Sequence, residues 1–167
     1  SDTVQDVHVL PDGRVAVVGS TRGNFDSDQS QTGDDAMIAV LSSDGEDVDW
    51  KEQLASDEFA YDVFTHITVG PEGSLYAVGE TEGSFIGNAQ ASNDSGDMVV
   101  AKYSTSGTRN WLEVFGRETS NDKALAVTPV VADSATGLWV AGQTQATVGD
   151  SGRSEEHTSE LQSPSAI

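Results

Sequence analysis

The stretches VAVVGSTRGNF at residues 15–25, LYAVGETEGSF at 75–85 and LWVAGQTQATV at 138–148 carry one pattern, repeated about 60 residues apart. A second pattern keeps the same step, since DAMIAVLSSDG at 35–45 returns as DMVVAKYSTSG at 97–107. A fixed period of this length is typical of stacked or radial arrays, in which no single unit buries its own apolar face. The sequence therefore predicts a repeat architecture.

Turn signals divide each period into four strand-like segments. The hairpin turns at 11–13 and 71–73 lead into runs at 15–18 and 75–78, which are apolar on both faces and so predict strands covered on both sides. Long polar loops follow at 21–35 and 81–97. The fourth segment alternates, with Val48, Trp50 and Leu54 on one side, which predicts an outer strand with one solvated face.

This arrangement predicts an all-β chain that forms a partial β-propeller. Two near-complete four-stranded antiparallel blades are expected at 2–55 and 57–116, and the first half of a third blade at 118–149. A β-sandwich or an open solenoid of the same strands is the structural alternative. Neighbouring blades of the same parent chain are the expected partners, because an open array leaves apolar faces and strand edges uncovered.

The last part of the chain, residues 153–167, is excluded from the fold argument. The segment RSEEHTSELQS at 153–163 is what the constant stem of a common sequencing-library adapter encodes in translation. We therefore expect 153–167 to be a non-native, disordered tail.

The composition limits the classes of partner. The chain has 28 Asp and Glu against 8 Lys and Arg, a formal net charge of −20. Such a surface repels phosphate backbones and anionic lipid, so neither nucleic acid nor a membrane surface is an expected partner. No cysteine is present, which excludes disulfides and thiolate metal sites. No apolar run is long enough to cross a bilayer, so membrane insertion is not expected.

The repeated phrases resemble the SBBP-type β-propeller repeats of bacterial and archaeal secreted and cell-surface proteins, over almost the whole chain before the tail. The positions that carry the resemblance are the central glycines, the threonines two residues later, the aromatic that follows, and the tryptophan after the second pattern: Gly19, Gly79, Gly142, Thr21, Thr81, Thr144, Phe25, Phe85, Trp50 and Trp111. Lys102 also matches the family pattern, whereas Val40 departs from it in the first repeat. The resemblance implies an extracellular or cell-envelope location and no catalytic residue within the repeat.

Two functional hypotheses remain open at this point. The preferred one is a non-catalytic scaffold or recognition module, a fragment of a larger protein, whose long loops bind a protein or a glycan. The alternative is the propeller domain of a secreted enzyme, quinoprotein-like or carbohydrate-active, with its catalytic residues outside this fragment. Trp50 and Trp111 are interpreted as packing aromatics that dock one blade on the next, because no cofactor-binding arginine or vicinal cysteine pair accompanies them.

One loop is a candidate calcium site, the only cofactor that the sequence suggests. Oxygen ligands recur at alternate positions in the first long loop, which is the spacing with which a curling loop wraps Ca²⁺. The candidate ligands are Asp26, Asp28, Ser30, Asp34 and Asp35. An EF-hand is excluded, because Gln31 stands where the central glycine would be and Met37 where the bidentate glutamate would be.

Overall fold

The computed structural model describes residues 1–25, 33–56, 60–85, 96–116, 120–132 and 135–145. These residues form ten β-strands: β1 (Asp2–Val9), β2 (Val15–Thr21), β3 (Asp35–Leu41), β4 (Val48–Leu54), β5 (Asp62–Val69), β6 (Leu75–Thr81), β7 (Asp97–Tyr103), β8 (Arg109–Phe115), β9 (Asp122–Ala132) and β10 (Ala135–Thr144). In this described part of the chain there is no helix that could cross a membrane.

The strands form three separate antiparallel sheets. Sheet 1 has the order β1-β2-β3-β4 and sheet 2 the order β5-β6-β7-β8, while sheet 3 pairs only β9 and β10. Consecutive strands are neighbours throughout, as in a meander. The sequence prediction of an all-β, partial β-propeller chain with two four-stranded blades and half of a third is therefore confirmed.

The sheets stack on one another, and each has two distinct faces. We call face B the face of sheet 1 that contacts sheet 2, and the equivalent face of sheet 2, which contacts sheet 3. Face A is the opposite face of each sheet, and in sheets 2 and 3 it contacts the sheet before it. Face B of sheet 1 packs on face A of sheet 2 in one apolar cluster, to which sheet 1 contributes Ala16, Val18, Ile38 and Val40 and sheet 2 contributes Phe64, Ile67, Leu75 and Ala101. Face B of sheet 2 packs on sheet 3 in a second cluster that includes Tyr76, Val78, Val100, Ala124 and Val127. The core thus lies between the sheets.

A β-bulge at the same repeat position explains the three matched glycines. The first strand of each sheet carries one extra residue, which interrupts the register after Val4, Phe64 and Ala124. A Cβ on each of these glycines would overlap the carbonyl oxygen of the second residue in the first strand of its sheet. The overlaps are Gly19 with Thr3, Gly79 with Val63 and Gly142 with Lys123. Since backbone atoms cannot move aside as a flexible side chain can, only glycine fits opposite the bulge.

The structure corrects two details of the sequence prediction. Val48 does not share a face with Trp50, because a second bulge between them reverses the side on which Val48 lies and leaves it 53% exposed. The run at 75–78 is buried on both faces as predicted, but in the run at 15–18 only Ala16 and Val18 are buried. Val15 and Val17 lie on face A of sheet 1, which no described sheet covers.

Candidate functional site at the loop-bearing end

The two long loops leave the same end of their sheets and begin with the same hydrogen-bonded unit. The hydroxyl of Thr21 donates to the Asp2 carboxylate at 2.5 Å and accepts the backbone amide of Gly23. Thr81 repeats both bonds with Asp62, at 2.6 Å, and with the amide of Gly83. The hydroxyl therefore joins the first residue of each sheet to the first turn of each loop, which is the physical reason for a threonine two residues after the glycine.

Gln53 fastens both ends of the first loop. Its side-chain amide donates to the carbonyl oxygen of Gly23 and to the Asp35 carboxylate, while its carbonyl oxygen accepts the backbone amide of Phe25 at 2.8 Å. The side chain is only 2% exposed, so all three bonds form away from water. The ammonium of Lys51 lies 5.1 Å from the centre of the Phe25 ring and adds a cation–π contact beside this clamp.

A bidentate ion pair closes the base of the same loop. The Arg22 guanidinium donates to both carboxylate oxygens of Asp34, at 2.6 and 2.7 Å. This pairing holds the pKa of the Asp34 carboxyl below its ordinary value. Residues at the two ends of the loop are thus linked twice, once through Gln53 and once through this pair.

The loop bases of neighbouring sheets meet at a short backbone joint. The amide of Asp62, the first residue of sheet 2, donates to the carbonyl of Asp34, the residue just before β3 of sheet 1, at 2.6 Å. The amide of Asp122 makes the same bond to Gly96 of sheet 2, also at 2.6 Å. Each sheet therefore begins directly beside the end of the preceding sheet's loop, and the two long loops arise next to one another.

Carboxylates are buried at this end. Asp35, Asp62, Asp97 and Asp122 are all at most 5% exposed. Burial raises the pKa of Asp62 to about 6, against hydrogen bonds from Thr81 and Ser56 that favour the charged form. Burial also raises the pKa of Asp35, opposed by the bond from Gln53 and reinforced by the neighbouring Asp34 charge. Asp62 and Asp35 therefore take up a proton at a higher pH than a surface carboxyl does.

The five predicted calcium ligands are only partly placed. Asp26, Asp28 and Ser30 lie outside the described residues. Of the other two, Asp34 is occupied by Arg22 and Asp35 by Gln53. Among the described residues no group of three or more histidine, aspartate or glutamate side chains is arranged to hold a metal ion. The calcium site therefore stays a prediction.

The two matched tryptophans lie at the sheet contacts, away from the loop bases. The Trp50 ring stacks on Tyr103 of sheet 2 at 5.8 Å between ring centroids, and its indole N–H donates to the Thr105 carbonyl at 3.0 Å. Trp111 contacts Tyr76 of its own sheet at 6.3 Å and joins the apolar cluster with sheet 3. Their surroundings differ because, within the described chain, sheet 3 has no third strand to supply the counterpart of Tyr103.

Sequence reasoning missed several residues that build this end of the fold. An aspartate recurs every 60 residues, at Asp2, Asp62 and Asp122, before the matched glycine of each repeat. This recurrence is visible in the sequence. Gln53 gave no such signal, since the equivalent position in sheet 2 is Val114. His66 has no histidine at the equivalent place in the other repeats, which favoured a surface or strand-packed residue over a metal ligand. In the structure its Nδ1 lies 2.6 Å from the Asp6 carboxylate and links sheet 2 to sheet 1.

Comparison with known proteins does not place the chain in a family. No family model matches it, and no curated protein matches it either. The resemblance to SBBP-type repeats therefore stays a prediction.

Proposed function

We propose that this chain is a non-catalytic propeller scaffold that presents the segments 22–34 and 82–96 as one recognition surface for a protein or a glycan. Its place of action is the cell surface or the extracellular space, as the SBBP resemblance implies. The observation that carries the proposal is the repeated anchoring of both loops at the same end of adjacent sheets.

The anchoring supports a display role because it fixes both ends of a long polar segment to a rigid core. Thr21 and Thr81 hold the start of each loop, and each of these threonines pairs directly with the aspartate that ends its loop, Asp35 and Asp97. Loops positioned by a stacked β-scaffold are where binding residues concentrate in many folds. The joint at Asp34 brings the two anchors together, which favours a composite surface over two independent ones.

The charge of the chain narrows the partner. With a formal net charge of −20, the protein favours neutral or basic partners over anionic ones. Long Asp-, Ser- and Asn-rich loops provide hydrogen-bonding groups suited to sugar hydroxyls or to a polar protein surface. A neutral glycan or a basic protein face fits both properties.

The test is a pair of loop replacements in the full chain. Residues 26–32 are replaced by a Gly/Ser segment of equal length in one variant, and residues 86–95 in another. Binding is measured on an array of neutral and acidic glycans and on a panel of secreted basic proteins. We expect binding that both replacements reduce, while the circular dichroism spectrum and the unfolding midpoint stay unchanged.

The matched control alters the opposite end of the sheets. Asp44→Ser combined with Glu46→Ser removes two charges from the exposed β3–β4 turn and leaves both loops intact. Equal loss of binding in this control would mean that charge alone, and not the loops, determines binding. Turnover of any arrayed glycan would contradict the non-catalytic assignment and favour a carbohydrate-active enzyme.

A further inference from the structure

Face A of sheet 1 is an apolar surface that is exposed along β1 and at Val48, whereas Met37 and Ala39 of β3 are buried within it. One row across the sheet pairs Val7 with Val17 and Val17 with Ala39, and the next row pairs Val9 with Val15 and Val15 with Leu41. The exposed fractions of four valines on this face are large: Val4 58%, Val7 57%, Val9 65% and Val48 53%. A contiguous apolar surface of this kind marks an interaction site more often than a solvated face.

The same face is covered in sheet 2. Phe64 and Ile67 lie 60 residues after Val4 and Val7, at the same places beside the β-bulge, and both are fully buried. What buries them is face B of sheet 1. Face A of sheet 2 is therefore covered by sheet 1, whereas the equivalent face A of sheet 1 is covered by no described sheet.

Sheet 3 repeats the covered arrangement. Its Ala124 and Val127, a further 60 residues along, are buried by Tyr76, Val78 and Val100 on face B of sheet 2. Face A therefore meets face B twice within this chain, each time at the same repeat positions. This continuity with an established interface identifies what face A of sheet 1 fits.

We propose that face A of sheet 1 is the docking surface for face B of a further four-stranded sheet of this same repeat. The occupant carries small and β-branched apolar residues on its second and third strands, as face B of sheet 1 does. The occupant also provides a backbone carbonyl that accepts a hydrogen bond from the amide of Asp2. Asp2 has the same position in sheet 1 as Asp62 and Asp122 have in their sheets, and the amides of those two residues donate to the preceding sheet. The inference concerns the stacking of sheets and is independent of the proposed loop function.

The turn glycines point to a tryptophan on the occupant. A Cβ on Gly107, in the β7–β8 turn, would meet the Trp50 ring of the preceding sheet at 2.9 Å. Gly45 has the equivalent place in the β3–β4 turn and the same left-handed backbone, yet a Cβ there would meet nothing within 4 Å. The space beside Gly45 is where the fourth-strand tryptophan of a further sheet lies.

The experiment adds such a sheet to the chain. A copy of residues 60–120 is placed directly before Ser1, so that Ser1 takes the position of Asn121 and the 60-residue spacing continues. Amide hydrogen exchange is then compared in residues 2–9 of the original and the extended chain. We expect exchange to slow about tenfold or more in the extended chain, because the four exposed valines become buried.

Matched variants of the added copy separate docking from mere extension. Val78→Glu in the copy places a charge on its face B, against sheet 1, and abolishes the slowing. Ile67→Glu in the copy lies on its face A, at the counterpart of the 57% exposed Val7, and keeps the slowing. Since Val78→Glu can also unfold the added sheet, Val7→Glu is tested as well: it leaves the unfolding midpoint of the original chain unchanged and removes the slowing in the extended chain.

Two results would overturn the proposal. One is unchanged exchange of residues 2–9 after extension, in a chain whose added sheet is folded by circular dichroism. The other is a stable dimer of the original chain in sedimentation that already protects residues 2–9, which would make a second copy the occupant. Loss or retention of loop binding in the preceding experiment affects neither result.

Discussion

Asp62 makes the stability of the stack depend on pH in the direction opposite to that of most surface carboxylates. Its side chain is 1% exposed and accepts bonds from the Thr81 hydroxyl and from the amide and hydroxyl of Ser56. Burial, helped by the nearby charge of Asp35, raises its pKa from 3.8 to about 6. Because this folded-state value lies above the unfolded one, the protonated form is the one that folding favours.

The size of the effect follows from the shift. A difference of about 2 pH units between folded and unfolded pKa corresponds to about 3 kcal/mol of unfolding free energy. This contribution is fully present below about pH 4 and is lost as the pH rises through about 6. We expect the neutral variant Asp62→Asn to lack this dependence, so that its unfolding free energy changes less than that of the original protein between pH 4 and 7.

The assay is urea unfolding followed by tryptophan fluorescence at pH 4 to 8, in about 1 M salt to screen repulsion among the surface carboxylates. Asp47→Asn is the matched control, because it removes the same charge from an exposed turn of sheet 1. Parallel pH profiles for the original protein, Asp62→Asn and the control would refute the reasoning. A profile flattened only in Asp62→Asn is the expected result.

Three further perturbations test the stack and the first loop. Gly79→Ala places a Cβ against the carbonyl oxygen of Val63 and is expected to lower the unfolding free energy by about 1–3 kcal/mol in the same urea assay. Gly137→Ala is the control, because a Cβ there has no close neighbour and is expected to change the unfolding free energy little. Trp50→Ala removes the aromatic stack and the indole hydrogen bond between sheets 1 and 2, and is expected to cost about 3 kcal/mol, with Trp50→Phe recovering part of it. The calcium hypothesis predicts slower proteolysis of the 22–34 loop as Ca²⁺ is titrated; cleavage that calcium leaves unchanged would remove it.

The sequence was sufficient to predict the sheets because its signals are local. Turn residues at 11–13 and 71–73 and the glycines of the repeat mark strand ends directly, and the structure has its strands between them. The orientation of Val48 was wrong because a bulge depends on pairing with β3, which alternation along one strand does not contain. The partial exposure of Val15 and Val17 likewise depends on what covers the sheet from outside, which the residues of the run do not determine.

The candidate site was predicted less well, for a related reason. The threonines and glycines were found because they repeat, but their hydrogen-bonding partners were not assigned. Gln53 is a polar residue in an alternating strand, where a solvated side chain is the ordinary expectation. Its burial follows from three bonds to a loop and a neighbouring strand, a non-local arrangement that only the fold brings together.

Repeated and unrepeated residues have different parts in the fold. The repeated residues build the stack: the glycine fits the bulge, the threonine holds the aspartate, and the aspartate forms the backbone joint. At other equivalent positions the two complete sheets differ, with Gln53 against Val114 at the base of the loops and Asp6 against His66 at the contact between sheets. Gln53 bonds to its own loop and the Val114 side chain cannot, so the two loop bases differ chemically. Asp6 and His66 contact each other and so belong to the stack. Under the proposed function, we therefore expect the replacements of residues 26–32 and 86–95 to reduce binding by different factors.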